Sequence, residues 1–172
     1  MPISTNKHVL AYKIKPNFKD AYDAFKEEWA LRILLETYFS PINDDYQKWL
    51  DKQIINDYFG YELEFNLDYA NILFFIENDD AKVLPKLIKE SLNKKLLTKE
   101  TVEQIKHRYI GMMFEIFSDV ESFNNGYIRD LLSGLDYFEA LKILKSIKLE
   151  DVEKSMIYLS CPHTSYISMI KK

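Results

Sequence analysis

Apolar residues recur along this chain at two different periods, and the switches between them mark its elements. From His8 to Lys15 the pattern alternates. Leu10, Tyr12 and Ile14 share one face, which predicts a strand closed by Pro16 and Asn17. From Asp20 to Phe39 the period becomes helical, with Ala21, Phe25, Trp29 and Ile33 in line and Leu34 and Leu35 widening the stripe. Ser40 and Pro41 stop this helix, and its near-continuous apolar end predicts last turns buried on most sides. A shorter helix is predicted over Asp44–Ile55, with Asp44 as N-cap and Tyr46, Trp49 and Leu50 inward. Alternation returns over Gly60–Asn66, where Tyr61, Leu63 and Phe65 face one way. The next segment, Ala70–Asn78, is apolar without a break from Ile72 to Ile76, as expected of a strand buried on both faces. The two form a tight antiparallel pair.

The remainder is mostly helical. "DDAKVLPKLIKESLNKKLL" carries Val83, Leu87 and Ile88 inward, with Pro85 near its start. Thr98 caps a long helix along which Val102, Ile105, Tyr109, Met112, Met113 and Ile116 keep helical spacing. "SDVESFNNG" is where that helix should break or kink, and Gly134 terminates it. Asp136 caps another helix, "DYFEALKILKSI". A short one, "LEDVEKSMIYLS", has acids in its first turn, and "TSYISMIKK" closes the chain as a strand. The order β-α-α-β-β-α-α-α-α-β defines one α+β domain spanning residues 1–172. Its expected architecture is a mainly antiparallel sheet of at least four strands with helices packed on one face.

Composition narrows the function classes. Of 172 residues, 47% are hydrophobic, enough for a sizeable core. The net charge of −4, with 27 acidic against 23 basic side chains, argues against a nucleic-acid partner. A lone cysteine, Cys161, excludes an intrachain disulfide framework and suits a reducing, cytoplasmic setting. No apolar run approaches the roughly 20 residues that cross a bilayer, so no membrane partner is expected.

Catalytic constellations are missing from the spacing. The three histidines, His8, His107 and His163, never fall within one helical turn of each other, and neither H-E-x-x-H nor H-x-x-E-H occurs. Cys161 and His163 in "CPHTS" are two donors, too few for a metal site. There is no G-x-S-x-G, and four scattered glycines make no phosphate cradle. The paired acids (Asp44 with Asp45, Glu62 with Glu64, Asp79 with Asp80) sit at caps or on a polar strand face. By residue chemistry alone this is an α+β domain with no catalytic constellation, and its spacing does not say what it does.

The wording and order of the chain go further. "LRILLETYFSPINDDYQKWLDKQIINDYFGYELEF" resembles the long apolar helix, turn, short helix and strand entry of one half-unit of the insulinase (pitrilysin) family of zinc peptidases. "TKETVEQIKHRYIGMMF" (98–114) is similar to the family's T-x-E-E-x-x-x-A-K-x-x-x-x-G segment. "GLDYFEALKILKSIKLEDV" (134–152) is similar to a later segment ending in E-D-V. The resemblance covers nearly the whole chain and is closest to the C-terminal unit of the shorter bacterial members. Those proteins pair two similar units, and their zinc motif lies in the N-terminal one.

The resemblance implies a non-catalytic half-domain, a fragment of a longer protein, that forms part of a peptide-substrate chamber and docks to a zinc-bearing half. That half would lie on the same parent chain or on a partner subunit. It implies no metal in this chain, so the chain alone is no enzyme, and zinc is expected in the partner half if the parent is active. The family's substrate-binding pair is an arginine in the short helix and a tyrosine just before the strand. Tyr61 matches the tyrosine. The arginine position falls near Asp51 and Lys52, and Lys52 offers a point charge without the planar fork. Gly60 is expected to give the tight backbone turn into the strand. Tyr61 either reaches the chamber or is an inward aromatic on the sheet. The competing expectation is a stand-alone or degenerate α+β interaction module without peptidase activity.

Overall fold

A computed structural model describes residues 6–160 and 165–170, the last segment through its backbone. Strand β1 is Lys7–Ile14, β2 Gly60–Phe65, β3 Ala70–Glu77 and β4 Ser165–Ile170. All pairings are antiparallel, in the order β2-β3-β1-β4. Cys161 and His163, the two donors judged too few for a metal site, lie outside the described residues.

Register explains which side chains meet. Phe74 of β3 stands opposite Leu10 on one side and Tyr61 on the other, and Ile72 stands opposite Tyr12 and Leu63. The face carrying Leu10, Ile14, Ala70, Ile72, Phe74 and Ile76 is fully buried. The opposite face of β3, with Leu73 and Phe75, is only half-buried. The unbroken apolar run of β3 therefore does not mean burial on both faces. A central antiparallel strand needs only its period-2 face in the core, and Phe75 packs instead against half-exposed Tyr58.

Helix α1, Ala21–Phe39, lies at the centre. It packs on β2 and on the later helices α4, Lys99–Glu115, α6, Tyr137–Ser146, and α7, Leu149–Lys154. Its last turns are buried all round: Leu31, Ile33, Leu34, Leu35, Tyr38 and Phe39 all belong to the core. The start is capped by Asp20, whose carboxylate accepts from the Asp23 amide at 2.8 Å. Thr98 caps α4 and Asp136 caps α6 in the same way.

Helix α2 is Asp45–Asp51, shorter than its apolar pattern. Gln53 takes a left-handed φ of 54° just beyond it and ends it. Asp44 makes no side-chain cap; the Asn43 amide oxygen accepts from the Asp45 amide instead. Helix α3 is Val83–Leu92, with Pro85 in its first turn, where no amide is needed.

The expected break after α4 falls at the start of the Ser118–Gly126 stretch, and the Asn-Asn-Gly end of that stretch stays helical. A 3-10 turn over Ile116–Ser118 leads to Asp119, which is extended and caps α5, Val120–Leu132. Gly126 sits inside α5. Phe123 and Tyr127 hold that stretch helical, since Phe123 packs on Phe117 and Tyr137. A last short helix, α8, is Ile157–Ser160.

The two glycines expected to govern turns behave differently. Gly134 has φ of 82°, just past α5, where the Leu135 amide donates back to the Asp130 carbonyl and closes the helix. Gly60 has no left-handed φ, and a Cβ there would meet open space, so the expected tight turn does not need it. Gly134→Ala should cost about 1 kcal/mol, because an L side chain resists that φ. Gly60→Ala should be neutral or stabilise by up to ~1 kcal/mol through the unfolded chain. Urea unfolding of the two variants checks both.

Candidate functional site

One carboxylate organises the polar centre of the molecule. Glu36 belongs to the buried end of α1, flanked by the core residues Leu35 and Thr37. Its side chain is 14% exposed. A charge there requires partners, and three arrive from two other elements. The Tyr61 hydroxyl, on β2, donates to Glu36 Oε2 at 2.8 Å, and the Tyr109 hydroxyl, on α4, donates to the same oxygen at 3.1 Å. The Arg108 guanidinium pairs with Oε1 at 2.8 Å.

The titration of these groups follows. Burial pushes the Glu36 carboxyl up, but the Arg108 guanidinium and the hydrogen bonds from Tyr61 and Tyr109 outweigh it and hold it below the usual range. Burial and the adjacent Glu36 charge push both the Tyr61 and Tyr109 phenols upward. Tyr61 is thus a neutral hydrogen-bond donor whose proton is already committed, and it also packs its ring against Phe74.

Trp29, Arg32 and Glu36 recur at helical spacing on α1. The Trp29 ring meets Tyr109 edge-on, with centroids 4.9 Å apart, and the Arg32 guanidinium lies over Trp29 at 5.3 Å while pairing with Glu28. Arg108 is the half-exposed member of the cluster, at 46%.

The sequence-predicted residues separate. Tyr61 enters this cluster. Lys52 is exposed at the C-terminal cap of α2, and among the described residues its side chain makes no hydrogen bond or ion pair. Gly60 starts β2 beside Tyr61. Sequence reasoning missed Glu36, Arg108 and Tyr109. The available signal was an acid inside an otherwise apolar helix end, which needs a counter-charge from elsewhere in the chain.

The described histidines do not fit a zinc site. His8 is buried in β1 with Nε2 2.8 Å from the Asn78 carbonyl oxygen, and His107 is exposed on α4. Among the described residues no three His, Cys, Asp or Glu converge as metal ligands. No helix there is long and apolar enough to cross a membrane.

With this sheet and central helix in place, the chain has the fold of one half-unit of the insulinase-family (M16) peptidases. It is similar to an uncharacterized zinc protease of Bacillus subtilis, YmfH, with 24% identity over 159 residues. That match covers 89% of this chain and 36% of YmfH, so the chain spans about a third of that relative's length. A putative M16-like peptidase of Alicyclobacillus acidocaldarius superposes with a TM-score of 0.82 at 15% identity, over 99% of this chain and 42% of that one. The inactive peptidase domain of a putative zinc protease from Bordetella parapertussis superposes at 0.68 with 17% identity, over 100% and 93% of the two chains. No family model matches the sequence.

Proposed function

We propose that this chain is the non-catalytic half of an insulinase-like zinc metallopeptidase. It forms one wall of a peptide-binding chamber and docks against a zinc-bearing half on the same parent chain or a partner subunit. The observation that carries the reading is a half-unit fold matched over 99% of the chain while covering 42% of the similar Alicyclobacillus peptidase. The donor set of the described residues, which fits no zinc, supports it. Peptide hydrolysis by metal-activated water would then belong to the other half.

Within that reading Tyr61 and Lys52 face the substrate, Tyr61 as a hydrogen-bond acceptor through its hydroxyl oxygen, whose proton is held by Glu36, and Lys52 as a point charge. In the assembled parent, Tyr61→Phe and Lys52→Ala should each raise KM for peptide about 5-fold with kcat little changed, as loss of uniform binding does. Unchanged KM in both variants sinks the chamber assignment. A second reading, a degenerate interaction module without activity, is favoured by α5, which buries none of its own residues and exposes Val120, Ile128, Leu131 and Leu132. An assembled parent that binds peptide but never hydrolyses it would select that reading.

A further inference from the structure

A cleft of about 1060 Å³ opens beside the Glu36 cluster, between α1, α4, α5 and the β2–β3 turn. We infer that it is a binding site for an apolar, uncharged peptide segment, anchored by a main-chain carbonyl on Arg32. The inference concerns the isolated chain and does not depend on a zinc-bearing partner.

Three observations lead there. The first is shape and lining. Phe25 and Trp29 of α1 and Tyr109 and Met112 of α4 line the cleft, and because Trp29 and Tyr109 meet edge-on at 4.9 Å the four side chains form one continuous apolar surface. Leu132 of α5, 85% exposed, stands at the lip without a core to join. The volume is at the top of the ~300–1,000 Å³ that small-molecule pockets occupy, which suits a segment of several residues.

The second is an unspent donor. Arg32 uses one terminal nitrogen, Nη2, on Glu28 at 2.7 Å. Its Nε is buried without a partner. Nη1 has no hydrogen bond to the described residues and is not among the buried polar atoms, so an acceptor entering the cleft can reach it. The guanidinium carbon lies 5.3 Å from the Trp29 ring centroid, which restricts where that acceptor can lie.

The third is charge. Glu28, Glu115, Asp119 and Asp130 line the cleft against Arg32 and Arg129, an excess of two carboxylates. Asp119 already accepts from two amides and a hydroxyl, and Asp130 pairs with Arg129. A ligand carboxylate would meet this negative lining, whereas a neutral carbonyl accepts from Arg32 without repulsion.

Trp29 reports on occupancy once the other tryptophan is removed. In a Trp49→Phe background, Trp29 fluorescence is titrated with N-acetyl-Leu-Leu-Phe amide and with the same peptide ending in a free carboxylate. The amide should give a saturable change, and the carboxylate should bind about tenfold more weakly. Arg32→Gln should weaken amide binding about tenfold, the scale of one charge-assisted hydrogen bond. Leu132→Asp keeps the test valid if Arg32→Gln unfolds. That residue is exposed, so folding should hold while loss of its apolar contact with the ligand, and the cost of desolvating a carboxylate in its place, weaken the amide to a similar degree. No saturable change with the amide overturns the site. Equal binding of the two peptides, or indifference to Leu132→Asp, overturns the ligand class assigned to it.

Discussion

Phe74→Ala should cost about 3–5 kcal/mol of folding stability and lower the unfolding midpoint by roughly 10 °C. Phe74 is fully buried on the central strand and touches three aromatic rings from separate elements. Phe39 of α1 meets it edge-on at 5.1 Å, Tyr12 of β1 at 6.0 Å, and Tyr61 of β2 lies tilted at 6.2 Å. Removing the ring deletes apolar contact with all three and leaves a cavity that rigid strands on both sides cannot close. The neighbouring Leu73 provides the control. It points to the half-buried face, so Leu73→Ala should cost only about 1–2 kcal/mol. Urea unfolding of the pair reads both numbers directly. Equal losses at 73 and 74 would mean that β3 is buried on both faces after all.

That contrast also shows where the sequence was legible. Local chemistry carried most of the elements. Thr98 and Asp136 cap their helices through the amides their spacing implies, although Asp44, expected to do the same, does not. The alternation in β2 predicted its partly covered face, and the dense apolar end of α1 predicted burial on most sides. What failed was set by partners distant in sequence. The apolar run of β3 reads as two-sided burial, but how far each face is covered depends on what packs there. The break expected over Ser118–Gly126 falls at the start of that stretch, but its Asn-Asn-Gly end stays helical, because Phe123, which packs on Tyr127, docks on Phe117 and Tyr137 and overrides the weak helix propensity there. Gly60 reads as a turn former, while the left-handed residue before β2 is Gln53. The polar centre was least legible. Glu36 takes its partners from positions 61, 108 and 109, so no local window contains them.

Glu36→Ala should destabilise the fold by about 2–4 kcal/mol, since it strands the two partly buried phenols, while the half-exposed Arg108 guanidinium turns to water. Glu36→Gln separates charge from shape. The amide keeps an acceptor for one phenol but gives up the ion pair with Arg108. The pH dependence then follows from the depressed carboxyl. Because the folded state holds Glu36 ionised below its usual titration range, the unfolded chain takes up its proton first as pH falls. The stabilisation is fully present above the ordinary glutamate pKa of about 4.3 and is lost as pH drops through the lower folded value. The stability gap between the native chain and Glu36→Gln should therefore be widest near neutrality and shrink on acidification below that range. Asp151 has a carboxyl lowered in the same direction, with burial opposing it and Lys26 outweighing the burial, so the absolute stability of both proteins falls in acid. The difference between them isolates Glu36. A gap that stays constant from pH 7 down to about pH 3 would mean that Tyr61, Tyr109 and Arg108 gain nothing from the charge, and that the cluster is held by packing alone.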